Sequence, residues 1–361
     1  MTKVLIVMQR LWTGGIQKVN IDMASHIKDP DIEVALVSLY PRQNTNFERE
    51  AEEKGLKTFY LDKKPGLDLS MIPKLNKLIR EYKPDVIHLN QRTTIYALVP
   101  TILNHVGKRF YAVHSMPGFD AKGKAKLINK IAFKCFGFTP IAISDTCKKA
   151  LCDYYDMPDN KVVCIYNGID TDKFKRETPY EDLDKDTCTF VTACAFKPEK
   201  NIPLLVNAFA RVYKCCPDAR LTIVGSGADM DKVKEEIRKN HIEDVVNLPG
   251  MQSDVHKYLD RSHVYVSSSD VEGLPISTLE AMSNGLPIVS TNVGGVPDIV
   301  ENNGNGFLVP RQDAMALSDA MITLCKNKGL RKEFSKHSEE LSEKYSIQAC
   351  ADSYARLYRK Q

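Results

Sequence analysis

No apolar stretch of this chain approaches the roughly 20 residues that a membrane-spanning helix needs, so no such helix is expected. The start, Met1 to Met8, runs straight into a strand pattern, with no long apolar leader and no small-residue cleavage site. A cytoplasmic protein is the expectation. The ten cysteines are scattered and form no C-x-x-C pair, which argues against both a disulfide framework and a zinc site. They read mostly as small core residues. There is no G-x-x-x-x-G-K-[ST] phosphate loop and no complete G-x-G-x-x-G. A net charge of +4 over 361 residues is too small to suggest nucleic acid as a partner. Low-complexity tracts and short repeats are also missing.

What remains, 43% apolar and 27% charged residues, suits a soluble globular chain of about two domains. Short apolar runs alternate with longer helical patterns throughout, the mark of βαβ units and parallel sheets. In the first half the expected strands are Val4–Met8, Val34–Leu39, Val86–Leu89, Phe110–Val113 and Ile141–Ile143. A charged, poorly patterned segment from Lys173 to Asp186 reads as a linker. A second series follows at Phe190–Ala195, Leu221–Val224, Val245–Leu248, Val264–Ser267 and Ile288–Val289. The fold class is therefore α/β, with two doubly wound halves: residues 1–168 and 169–344. Residues Ile347, Ala351, Tyr354, Leu357 and Tyr358 recur at helical spacing, so a helix over about 345–361 needs a surface to dock on and is expected to complete the first half.

The segment Glu272-Gly273-Leu274-Pro275-Ile276-Ser277-Thr278-Leu279-Glu280 holds two acids eight positions apart around a loop-to-helix junction. Pro275 suits the first helical turn, where a missing N–H costs nothing. The N–H groups of Ile276 and Ser277 favour a phosphate. Acids beside such a site suit sugar or ribose hydroxyls, which carboxylates accept in pairs. A capped surface helix explains the spacing equally well. Gly14-Gly15, after the first strand, lets a phosphate or sugar approach the backbone, although glycine there also serves purely steric ends, as it does in Gly225-Ser226-Gly227. Asp170-Thr171-Asp172 has the form of a metal-nucleotide clamp but lies at the joint between halves, without further acids at ligand spacing. His88 and His114 stand at strand ends, where a structural role is the default. Lys200 can neutralise a diphosphate or simply be solvated.

Taken together, these residues resemble the retaining glycosyltransferases of family 4, with the two-lobed fold called GT-B. In the family's pattern, two Rossmann-like domains face each other across a cleft and a C-terminal helix crosses back to the first; the resemblance implies that residues 1–168 form the acceptor domain and 169–344 the nucleotide-sugar donor domain. Gly14-Gly15 is similar to the family's diphosphate loop, Asn167-Gly168-Ile169-Asp170 to its joint, and Glu272 to Glu280 to its E-x7-E signature. Gly294 to Val300 and Gly306 to Val309 also match, with Asp298 where Glu is usual. The resemblance implies that Glu272 holds donor-sugar hydroxyls and Glu280 the ribose diol. It implies that Gly15, Lys200 and the loop of Gly273, Leu274, Pro275, Ile276 and Ser277 hold the diphosphate. The segment with Pro249 and Met251 would pack the nucleobase, and His114 would lie near the reacting carbon. No metal or other cofactor is expected; the nucleotide sugar, UDP-linked in preference to GDP-linked, is the donor substrate. One departure stands out: the family's Arg, five residues before the lysine, is Ala195 here, with Lys197 two residues on as a possible substitute.

Lys122, Lys124, Lys126, Lys130 and Lys134 interleave with Leu127, Ile128, Ile131, Ala132 and Phe133, a pattern that suits an anionic membrane surface. An ordinary helix with its apolar face in the core reads the same way. The function expected is transfer of a hexose or N-acetylhexosamine to a glycan or lipid-linked glycan acceptor in surface polysaccharide biosynthesis, from the cytoplasm or the inner membrane face. Two alternatives stay open: a nucleotide-sugar epimerase of the same fold, and a catalytically weak nucleotide-sugar-binding relative.

Overall fold

The computed structural model describes residues 1–12, 14–180, 183 and 187–359, in two compact units. The first takes in Met1–Ile169 and the stretch from Ile347 onward; the second is Asp170–Ser346.

The first unit holds a sheet of seven parallel strands: β1 (Thr2–Met8), β2 (Ile32–Ser38), β3 (Lys57–Tyr60), β4 (Val86–Asn90), β5 (Lys108–Val113), β6 (Phe138–Ala142) and β7 (Val163–Cys164). Their order is β3-β2-β1-β4-β5-β6-β7. The central strands are near-continuous apolar runs because helices cover both faces of a parallel sheet, and Val4, Leu5, Ile6 and Val7 are wholly buried. The register sets Ile6 beside Leu36 on one side and His88 on the other.

The second unit repeats the plan with β8 (Cys188–Ala193), β9 (Ala219–Val224), β10 (Val246–Gly250), β11 (Val264–Ser267), β12 (Ile288–Thr291) and β13 (Gly306–Val309). Its order, β10-β9-β8-β11-β12-β13, is the dinucleotide-fold order 3-2-1-4-5-6 counted within the unit. Each sheet therefore reverses direction once, between β1 and β4 and between β8 and β11. Ligands of open α/β sheets bind beyond the carboxyl ends of the strands at such a reversal.

A helix at Ile347–Tyr358 completes the first unit. It buries Ile347, Cys350, Ala351, Tyr354, Ala355 and Tyr358 and packs on the helix Gly15–His26. Burying Ile347 alone is worth roughly 1.5–3 kcal/mol. The amide of Ile347 donates to the carbonyl of Ile169 at 2.7 Å. At the far end, the Tyr358 hydroxyl lies 2.6 Å from Nδ1 of His88, whose ring stacks on Tyr354 with centroids 5.3 Å apart. His88 is thus a fully buried anchor for this helix. Residues 360 and 361, in the stretch expected to be helical, lie outside the described residues.

The segment from Lys173 corrects the expectation of a loose linker. Residues 181, 182 and 184–186 of it lie outside the described residues, but its first part is bound to the second unit. Arg176 donates to the carbonyls of Asn284, Asp260 and Ser262, and the Asp260 carboxylate accepts the amides of Glu177 and Thr178. Charge that looked like solvated linker is used to satisfy helix-end and loop carbonyls.

Candidate active site

At the reversal in the second sheet, the loops leaving β8 and β11 meet. Lys200, after β8, places its Nζ 2.6 Å from Oε1 of Glu272, after β11. The same oxygen accepts the hydroxyl of Ser269 at 2.6 Å. The loops are laced further along their backbones: Asp270 donates its amide to the Glu199 carbonyl, and the Ser268 hydroxyl lies 3.0 Å from the carbonyls of Lys200 and Asn201. Thr291, closing β12, donates its hydroxyl to the Ser269 carbonyl at 2.6 Å. Glu272 is 8% exposed. Burial pulls the pKa of Lys200 down, but the charge and hydrogen bond of Glu272 outweigh it and hold the ammonium above its ordinary value. Among the described residues no partner is found for Oε2 of Glu272, so that oxygen is able to accept a further hydrogen bond.

Gly294 makes this packing possible. Its φ is +53°, and a Cβ there would fall 1.9 Å from the carbonyl oxygen of Glu272. The next residue, Gly295, donates its amide to the Gly273 carbonyl at 2.7 Å.

The helix Ile276–Ser283 begins directly after this loop, with Pro275 just before the first helical turn as its N-cap residue. The amides of Ile276 and Ser277 have no carbonyl one turn back to bond, so the helix start is electropositive. Leu274 is buried beneath it, and the Ser277 hydroxyl accepts from Tyr265 at 2.8 Å. Glu280 is half-buried in the helix's second turn. At the end of β10, Pro249 accepts from the Gln252 side chain and Met251 is 66% exposed, an apolar side chain open to a ligand.

Ala195 is exposed and leaves no guanidinium beside this platform. The strand does not carry on to Lys197: the Lys197 amide bonds the Ala195 carbonyl at 2.9 Å, a three-residue turn around buried Phe196. Both flanking side chains are nevertheless exposed. Asp170 caps the short helix Thr171–Phe174 by accepting the Lys173 amide, so the D-x-D pattern serves a helix end.

In the first unit, Gly14 is the N-cap of the helix Gly15–His26 at φ +149°, and both glycines are exposed. His114 follows β5, with Nε2 2.7 Å from Oδ1 of Asn90. That oxygen also accepts from Asn20, so Nε2 of His114 carries the proton and Nδ1 is an acceptor. Nδ1 is buried without a hydrogen-bond partner among the described residues. Burial lowers the pKa of His114 to about 4, and burial together with the His114 charge lowers that of His88 to about 3. Both rings are neutral near pH 7.

The basic segment forms the helix Lys124–Cys135. Lys124, Leu127, Ile131 and Lys134 make one exposed stripe, with Leu127 59% and Ile131 38% exposed, while Asn129, Ala132 and Phe133 face inward. The apolar residues are therefore only partly in the core. Lys134 pairs with Asp156 at 2.8 Å, Lys126 lies 3.7 Å from the Tyr154 ring centroid, and Lys122 lies over Phe119. Lys130 is half-buried.

Residues 13–173 match the family model described as Glycosyltransferase Family 4, and residues 174–341 match Glycosyl transferases group 1. An uncharacterised glycosyltransferase of Methanocaldococcus jannaschii is 30% identical over 236 residues, 61% of this chain but only 58% of that protein. The Escherichia coli UDP-Gal:alpha-D-GlcNAc-diphosphoundecaprenol alpha-1,3-galactosyltransferase is 27% identical, with 81% of this chain and 83% of that protein covered. Among solved structures, the Anabaena protein HepE in complex with UDP and glucose superimposes with a TM-score of 0.86 at 18% identity, covering 99% of each chain. The two sheets carry the GT-B fold class.

Proposed function

The chain belongs to the group 1, family 4 glycosyltransferases, and from that membership we propose that it moves a hexosyl or N-acetylhexosaminyl group from a UDP-linked sugar to a sugar hydroxyl of a glycan or lipid-linked glycan in surface polysaccharide assembly. The observation that carries this reading is the Lys200–Glu272 pair at the sheet reversal, directly before the helix start at Ile276. Lys200 and the amides of Ile276 and Ser277 supply positive charge for a leaving diphosphate, and Oε2 of Glu272 accepts from donor-sugar hydroxyls. Glu280 takes the ribose diol, and Pro249 and Met251 cover the base. Within the first unit, the exposed Gly14 and Gly15 at the helix start are suited to a phosphate, and His114, neutral and with Nδ1 as acceptor, to a sugar hydroxyl.

The reaction proceeds with retention. The bond from the anomeric carbon to the diphosphate oxygen breaks as the acceptor oxygen bonds on the same face, and the acceptor's proton passes to the departing diphosphate. Positioning and charge stabilisation supply the rate, and no metal is required. UDP and a lipid-linked acceptor are supported by the name of the Escherichia coli relative, and UDP also by the HepE complex. The exposed Lys124–Leu127–Ile131–Lys134 stripe supports peripheral attachment to an anionic membrane on the cytoplasmic side.

The test is a thermal-shift panel of nucleotide sugars, where a ligand at a hundred times its dissociation constant stabilises by about 2.7 kcal/mol, together with donor hydrolysis. Slow release of UDP from its sugar, abolished in Glu272→Ala, is expected. Exposed Ala195 favours a second reading, a nucleotide-sugar binder with weak turnover. Binding without any hydrolysis or transfer would select it.

A further inference from the structure

Three cysteines from distant parts of the second unit meet at the amino ends of its strands, the end opposite to the Lys200–Glu272 platform. Cys188 opens β8 and is 5% exposed. Its register partner on β9 is Ala219, whose amide donates to the carbonyl of Cys216 at 3.0 Å. Cys216 is the C-cap of the helix Ile202–Cys215, and Cys325 lies in the last turn of the helix Ala314–Lys326. Both helices follow strands of a parallel sheet and run back towards the amino ends, and they pack on each other. Arg211 of the first donates to the Ser318 hydroxyl of the second at 2.7 Å and pairs with Asp319. From that crossing about one and a half to two further turns of each helix bring residues 216 and 325 to the same level.

At that level the three thiols form a chain. Cys325 is hydrogen-bonded to both of the others, donating to Cys188 and accepting from Cys216. Arg331, 4% exposed, holds the adjoining helix end, with Nη1 on the carbonyls of Leu324 and Cys325 at 2.5 and 2.8 Å. Its Nε is buried without a hydrogen-bond partner, and no carboxylate among the described residues pairs with it. The hydrogen bond from Cys325 holds the Cys188 thiol below its ordinary value against burial, and the Arg331 charge helps. The cluster therefore gives up a first proton more readily than buried thiols ordinarily do.

Cys188 is closed to solvent, whereas Cys216 and Cys325 are both partly exposed. A dissolved reagent can reach only the outer pair. We propose that Cys216 and Cys325 are a thiol–disulfide site, which an oxidant of the small-disulfide class converts to an intramolecular bond that braces the second unit. Proton shifts inward, from Cys325 to Cys188 and from Cys216 to Cys325, bring the thiolate to Cys216. That sulfur attacks the reagent's S–S bond, forming a mixed disulfide and releasing one small thiol. Cys325 then attacks the Cys216 sulfur and displaces the second. The two S–H protons leave on the two released thiols, and the two electrons given up by the protein sulfurs reduce the reagent. Burial, with the bond to Cys325, pushes the Cys216 thiol up to about 11, so the exchange takes hours rather than seconds. The site is independent of the transferase reading above.

The test treats the whole chain with excess glutathione disulfide, followed by peptide mapping without reduction and by thermal melting. Cys216 and Cys325 should appear in one cross-linked peptide pair, two hydrogens lighter than the two thiols, while exposed Cys135 keeps a glutathione adduct. The bond closes a loop of roughly a hundred residues, so the second unit should melt about 5 °C or more higher, a gain that dithiothreitol reverses. Cys325→Ser should leave a stable glutathione adduct on Cys216 and abolish the gain. Cys215→Ser, at the exposed neighbour, should keep both the cross-link and the gain. Should Cys325→Ser fail to fold, Cys216→Ser takes its place, with the adduct then on Cys325. The proposal is overturned if Cys216 and Cys325 end as free thiols or as separate adducts, if the cross-link joins another pair, if Cys215→Ser abolishes it, or if the cross-linked chain melts no higher.

Discussion

Nζ of Lys200 and the hydroxyl of Ser269 converge on the same oxygen of Glu272, each at 2.6 Å, so one carboxylate oxygen is saturated by the protein while the other is left for a ligand. This division lets the binding role of Glu272 be separated from its structural one.

Glu272→Gln keeps an oxygen for Lys200 and Ser269, and its melting temperature should change little. On the proposed donor role of Glu272, its donor turnover should fall on the order of 100-fold, because the charge that would fix the donor hydroxyls is gone. Lys200→Met strips a largely buried carboxylate of its partner and should cost about 1.5–3 kcal/mol, visible as a drop of about 2–4 °C per kcal/mol. Calorimetry and hydrolysis assays on the two variants check this, and equal melting losses in both would contradict it.

Ala195→Arg should restore a guanidinium to the exposed edge of the platform. A charge-assisted bond to the diphosphate is worth about 1.5–3 kcal/mol, so the Kd for UDP should tighten by about tenfold or more. If Lys197 already fills that role, Lys197→Ala should weaken UDP binding in the natural chain but not in Ala195→Arg. Calorimetric titration of the single and double variants decides.

Acid should destabilise the first unit through its two buried histidines. An unfolded histidine binds its proton near pH 6.5, whereas His88 and His114 hold off protonation to about 3 and about 4. Below pH 6.5 the unfolded chain therefore carries more protons than the folded one, and stability falls as pH drops through that window. The slope is up to about 1.4 kcal/mol per pH unit for each ring. Urea midpoints between pH 7.5 and 5 should show it, and His88→Gln should remove one ring's share.

Leu127→Ser with Ile131→Ser alters only exposed apolar residues of the stripe, so the melting temperature should hold. Co-sedimentation with vesicles containing anionic lipid should fall. Lys124→Glu should lower it further, since each surface lysine contributes about 1 kcal/mol of attraction. Binding that ignores both the substitutions and the lipid charge would rule out the membrane role.

The strands were legible where burial on both faces forces unbroken apolar runs, as in Val4–Met8 and Val264–Ser267. β3, Lys57–Tyr60, escaped notice because it is a four-residue edge strand with Lys57 exposed and no residue fully buried. β7 has two residues, too few for a pattern to emerge, and β13 opens on a glycine, which is weak in strands. Glu272 and Lys200 could be picked out as separate motif residues. Their ion pair could not, since 72 positions separate them and only the sheet reversal brings them together. Ser269 and Asn90 carry no signal at all: an isolated polar residue gains a role only from partners brought in by the fold. The segment from Lys173 misled for the same reason, because its charged composition is that of a solvated stretch until Asp260 and the carbonyls that Arg176 binds are seen.

The first unit closes with a helix that the chain reaches only after the whole second unit has been laid down. During synthesis the second unit is uninterrupted, and all its strands are available before residue 347 emerges. The first must wait, with His88 and the inner face of the helix Gly15–His26 uncovered, for Tyr354 and Tyr358 to arrive. A ribosome stalled between residues 310 and 346 would thus present a nascent chain with an unfinished first half, and such chains are the ones on which chaperones and proteases are expected to act.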